Sequence, residues 1–162
     1  MAERRNSDAV DPNAYQRALG LLVRREHSRQ ELSRKLKAKG VEPEEAAVAL
    51  EKLARQDFQN DERFAAALAR TRAAAGYGPV RIRSELSTHG LPRAAIEAAL
   101  DACERDWPAG ARALVIRRYA GKNLADPALR RKAIDFLLRR GFEQKSAFAA
   151  VRSGHGNEFV ED

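Results

Sequence analysis

Between residues 28 and 41 the chain reads "SRQELSRKLKAKGV", with Leu32 and Leu36 one helical turn apart in a mostly polar run that ends on Gly40 and Val41. The arrangement returns some fifty residues on, with Ile82 and Leu86 ahead of Gly90 and Leu91. It returns again with Ala133 and Leu137 ahead of Gly141 and Phe142. The register continues past each glycine. Ala46, Ile96 and Ala147 stand six residues on, Leu50, Leu100 and Val151 ten on, and Leu53 and Cys103 thirteen on, where the third copy breaks with Gly154. Apolar residues four apart share one face of a helix, self-similarity at a fixed spacing marks a repeated unit, and no segment alternates as a strand does. The pattern predicts an all-α chain of three like modules.

Punctuation divides each module into three helices. Cap residues with a proline or carboxylate just inside start the first helices at Asp11-Pro12, Asn60-Asp61-Glu62 and Asp106-Trp107-Pro108. Middle helices start at Ser28, with Glu31 completing a capping-box pattern, at Gly78-Pro79 and at Asp126-Pro127. They end at Gly40, Gly90 and Gly141, where a left-handed residue reverses the chain at little cost. Third helices start near Pro43, Pro92 and Glu143. Ser28 to Gly40 and Gly78 to Gly90 span 12 residues, Asp126 to Gly141 spans 15, so the third middle helix or its loop is longer. The expected organisation is a flexible N-terminus (1–10), repeats at 11–58, 59–104 and 105–153, and a flexible acidic C-terminus (154–162) with Glu158, Glu161 and Asp162. Modules of about 45 residues have thin cores and lean on one another, which suggests an elongated, curved row.

Composition narrows the class. The 162 residues are 44% hydrophobic, too apolar for a disordered chain, and no apolar run is long enough to span a membrane. The opening "MAERRNSDAVDPN" lacks the apolar core of a signal peptide, and one cysteine excludes an internal disulfide, so a cytoplasmic monomer is expected. The formal net charge is +7, which invites a polyanionic partner, although a merely basic helical protein has the same balance. Residues 14–58 carry ten Lys/Arg against seven Asp/Glu, residues 59–103 six against five, and residues 104–152 twelve against five, so the third module is the strongest polyanion candidate.

Enzyme chemistry finds little support. Cys103 occupies the place of Leu53 and reads as a core residue. His27, His89 and His155 lie far apart in the sequence with no metal-ligand spacing, and no glycine-rich nucleotide loop is present, so neither a cofactor nor a metal is expected. The basic residues remain: Arg24, Arg25, Arg34 and Lys35 in the first module; Arg70, Arg72, Arg81 and Arg83 in the second; Arg117, Arg118, Lys122, Arg130, Arg131, Lys132, Arg139 and Arg140 in the third. In each copy they gather at the end of the first helix and along the second, where phosphate contact tolerates loose spacing. Tyr77 and Tyr119 stand beside these arginines, either to stack on a base or to pin a helix turn. Sequence-specific reading by a helix-turn-helix variant has little to work with, since Gln30 is the only Asn or Gln on the middle helices.

The segment "DERFAAALARTRAAAGYGPVRIRSELSTHGL" (61–91) resembles the central signature of the RecX regulatory proteins, and "SRQELSRKLKAKGV" the matching element of their first repeat. The third module, "LADPALRRKAIDFLLRRGF", keeps only the general form. The resemblance implies three tandem three-helix repeats and a non-enzymatic role. It implies a protein that binds the RecA filament on single-stranded DNA, in the filament groove, and suppresses ATP hydrolysis and strand exchange. DNA, single-stranded and also double-stranded, is the implied second partner. The family carries no catalytic residues over. The rival expectation is a RecA-independent basic DNA-binding protein built from helix-turn-helix-like modules.

Overall fold

The computed structural model describes residues 13–153, so the N- and C-terminal segments expected to be flexible, with His155, Asp11 and Pro12, lie outside it. Nine helices account for the secondary structure among the described residues: α1 (Ala14–Arg24), α2 (Arg29–Ala38), α3 (Pro43–Arg55), α4 (Asp61–Ala74), α5 (Pro79–Ser87), α6 (Arg93–Asp101), α7 (Trp107–Arg118), α8 (Pro127–Arg139) and α9 (Gln144–Ser153). The architecture is all-α, in three-helix repeats. The longer spacing of the third repeat is taken up by helix, 13 residues in α8 against 10 in α2 and 9 in α5.

The helix ends follow the local chemistry. Asn13 and Gln16 form a reciprocal capping box on α1, and Ser28, Asp106 and Asp126 each accept a first-turn N–H of the helix they precede. Gly40, Gly90 and Gly141 turn back with φ of +80°, +69° and +88°.

The contacts divide the chain into two compact units, one ending at Phe64 and the other starting at Ala65, so the second and third repeats share a unit. In the first, α1 and α2 pack on α3 around Leu32, Leu36, Leu50 and Leu53, with Ala14, Ala18, Ala46 and Ala49 where the helices approach. Four buried leucines at about 1.5–3 kcal/mol each make a small core, and alanines let the helices lie close. In the second unit α7 and α8 pack on α9 around Ala111, Val115, Ala133, Leu137, Ala147 and Val151, while α5 packs on α6. Alanines again line the first and third helices, because three short helices meet only if their crossing faces are small.

Candidate functional site

In the second unit the C-terminal end of α8 abuts the N-terminal end of α5. The N–H of Gly78 donates to the carbonyl of Arg140 (2.8 Å) and that of Val80 to the carbonyl of Gly141 (2.9 Å). A helix start leaves N–H groups unpaired and a helix end leaves carbonyls unpaired. Here each supplies the other, and the two helix dipoles meet with opposite signs. Pro79, at the first position of α5, has no N–H to satisfy. The contact is backbone on backbone and leaves no room for a Cβ. One at Gly78 would lie 2.5 Å from the carbonyl oxygen of Gly141, and one at Gly141 would fall on Arg81. The punctuation at 76–79 and at 141 therefore starts and ends helices, and also joins two repeats.

An alternating series of cations and rings runs outward from this junction. Arg81 and Arg140 both lie over Tyr77, their guanidinium carbons 4.4 and 5.0 Å from the ring centre. Arg140 also lies 5.5 Å from the centre of Phe136, and Arg118 lies 4.6 Å from it. Phe136 meets Tyr119 edge to face at 6.4 Å, and Lys122 lies 5.8 Å from the centre of Tyr119. Arg140 further donates to the carbonyl of Ala75 (3.3 Å), which closes the end of α4 onto the series. A guanidinium stacked by its face keeps its in-plane N–H groups for an anion. Tyr77 thus lies under two arginines at the turn between α4 and α5.

Beside the junction α5 and α8 bound a cleft of about 660 Å³. Tyr77, Val80, Arg81, Ser84, Leu138 and Arg139 are among its lining residues, as are Arg72 and Glu85. Val80 and Leu138 are 45% and 39% exposed. Arg72 binds Glu85 through two nitrogens (2.8 and 2.7 Å), and that pairing holds the carboxyl below its ordinary range. Among the described residues no carboxylate lies within ion-pair distance of Arg81 or Arg139, although Glu85 acts on Arg81 at longer range.

The remaining sequence-identified residues fall into two groups. On α7 and α8 and the turn between them, Arg117, Arg118, Lys122, Arg130, Arg131 and Lys132 are exposed, with no ion pair among the described residues; Arg130 donates to the carbonyl of Leu124 (3.3 Å). Arg34 and Arg70 are likewise exposed on α2 and α4, and Arg24 is exposed in the last turn of α1. Others serve internal pairs. Arg83 holds Glu97 at 2.6 Å. Arg25 grips Glu31 through both terminal nitrogens, and Lys35 reaches Glu31 and the Nε2 of buried His27, each at 3.3 Å. Burial by itself would raise the Glu31 carboxyl, but the Arg25 hydrogen bonds, the neighbouring positive charges and Lys35 outweigh it and lower it to about 2. Burial pushes the imidazole of His27 below its ordinary 6.5, against the pull of a bond between its Nδ1 and the carbonyl of Arg25.

Sequence reasoning missed Phe136, Val80 and Leu138. A signal existed for Phe136, which stands one turn before Arg140, the residue that caps the same helix; Val80 and Leu138 gain meaning only once α5 and α8 meet. Cys103 is half-buried, donates to the carbonyl of Ala99 and is raised by burial, away from the thiolate a nucleophile needs. Among the described residues no three His, Cys, Asp or Glu side chains gather as a metal site, and no helix is long and apolar enough to cross a membrane.

Comparison with known proteins places these features in a family. The chain matches RecX's first three-helix domain over residues 14–53, its second over 60–100 and its third over 108–151. It is 53% identical to the regulatory protein RecX of Xanthomonas axonopodis pv. citri (strain 306), over 93% of each chain. It is 56% identical to that of Stenotrophomonas maltophilia (strain K279a), over 85% of this chain and 84% of the relative. A crystal structure of a regulatory protein RecX aligns with a TM-score of 0.68 at 25% identity, covering 86% of this chain and 70% of the other. The structure of RecX from Lactobacillus salivarius aligns at 0.69 over 86% and 93%, and at 22% identity shows the shared fold alone. With the three domains of one family in order along the chain, and 53% identity over 93% of its length to a regulatory protein of that name, the protein belongs to the RecX family.

Proposed function

We propose that this protein is a negative regulator of the RecA recombinase. It docks on the RecA–single-stranded DNA filament, in the filament groove, and inhibits ATP hydrolysis and strand exchange. It acts as a cytoplasmic monomer and a binding protein, not an enzyme. The observation that carries the reading is family membership across all three domains. The surface supports it: the third repeat holds most of the excess positive charge, and its arginines at the end of α7 and the start of α8 are unpaired by carboxylates among the described residues. Such cations suit DNA phosphates or acidic protein surface. Several repeats docking on one filament also gain from effective concentration, since each later contact is intramolecular.

The test is RecA's ATP hydrolysis on excess single-stranded DNA while this protein is titrated in. Inhibition well below one molecule per RecA subunit is expected, because a bound regulator acts on the filament and not on one active site. Inhibition that begins only when the free DNA is coated would overturn the reading in favour of RecA-independent DNA binding.

A further inference from the structure

The cleft between α5 and α8 differs in chemistry from the open basic surface beside it. Its apolar lining includes Val80 from the second repeat and Leu138 from the third, 45% and 39% exposed and brought together only by the Gly78–Gly141 contact. Its cations, Arg81 and Arg139, have no carboxylate within ion-pair distance among the described residues, although Glu85, bound by Arg72, acts on Arg81 at longer range; the hydroxyl of Ser84 is a further polar group in the lining. Resting on the docking reading above, we propose that this cleft receives a segment of the filament's protein: an acidic stretch that carries at least one exposed apolar side chain.

Two observations favour a peptide over DNA. Phosphate oxygens gain nothing from isopropyl and isobutyl groups, whereas an apolar side chain is drawn from water onto them. The ring lining the cleft, Tyr77, already lies under the guanidiniums of Arg81 and Arg140, so it is not a bare platform for a base. A peptide carboxylate, in contrast, can take the unpaired N–H groups of Arg139 or Arg81 while a neighbouring apolar side chain lies on Val80 and Leu138. The volume, about 660 Å³, falls within the range of sites that hold a few side chains. DNA contact is left to Arg117, Arg130, Arg131 and Lys132, which do not line the cleft.

The experiment compares the unaltered chain with a Val80→Ser, Leu138→Ser double variant, which removes the apolar contact and adds no charge. Both positions are on the surface, and circular dichroism with thermal unfolding confirms an unchanged fold. Binding is measured at one salt concentration to a labelled single-stranded oligonucleotide, and to RecA assembled on the same oligonucleotide with a non-hydrolysable ATP analogue. The expected result is a loss of about tenfold or more on the filament, with bare-DNA binding unchanged within about twofold. Equal losses on both probes make the cleft a DNA site and overturn the proposal. Equal binding of variant and unaltered chain to the filament overturns it also. If the unaltered chain fails to bind the filament, the proposed function itself falls, an outcome distinct from the other two.

Discussion

Gly40 and Gly141 hold the same place in their repeats, one residue beyond the cap of a middle helix, and turn the chain with φ of +80° and +88°. Their surroundings differ. Among the described residues nothing lies within 4 Å of where a Cβ of Gly40 would stand, whereas one on Gly141 would collide with the backbone and Cβ of Arg81. In the first repeat the glycine answers only to its own dihedral angles. In the third it answers also to another repeat, which has taken the helix end as a docking surface. One sequence signal therefore carries two loads of different size, and the larger load is the one that builds the candidate site.

The comparison can be tested by adding one methyl group at a time. Gly141→Ala combines left-handed strain with a backbone collision and is expected to cost roughly 2–5 kcal/mol. Urea unfolding measures it, and the same variant should lose filament inhibition because Val80 and Leu138 no longer share a cleft. Gly78→Ala carries no dihedral strain, its φ being −90°, and the atoms nearest its new Cβ are backbone atoms of Gly141 and Phe142. A cost of about 2 kcal/mol is expected, again from overpacking. Gly40→Ala should cost about 1 kcal/mol, from strain alone. If it destabilises as much as Gly141→Ala, the two glycines carry equal loads and the repeat contact at Gly141 adds nothing to its cost.

The smallest expected effect concerns the first unit, whose charges are turned inward around Glu31. Because the carboxyl of Glu31 is lowered in the folded chain, from 4.5 to about 2, its stabilisation is complete above pH 4.5 and fades as pH falls toward 2. His27, also lowered, resists protonation that the unfolded chain accepts, so it too loses stability as pH falls below 6.5. Glu31→Gln should flatten the pH 4.5-to-2 part of the profile, read as the urea midpoint at a series of pH values. At neutral pH it should cost under about 1 kcal/mol, since Arg25 and Lys35 are about half exposed. An unchanged acid profile would show that the cluster contributes nothing to stability.

The sequence by itself determined the helices and their repetition. Leu32 and Leu36, Ile82 and Leu86, and Ala133 and Leu137 announce buried faces through their spacing, and glycine and the capping residues act within a few bonds, so these signals are local. The tertiary structure alone decided which cations stay available. Arg72 and Arg83 look like Arg81 in the sequence, yet Glu85 and Glu97, 13 and 14 residues further on, hold the first two and leave the third. Lys35 stands one turn from Glu31, a pair its spacing gives, but its contact with the buried His27 comes only from the fold. The Gly78–Gly141 contact, the stacking of Arg140 on Tyr77 and the cleft shared by Val80 and Leu138 join residues some 60 positions apart. No periodicity reports such contacts, because they depend on how two finished helices meet end to end and not on what makes either of them a helix.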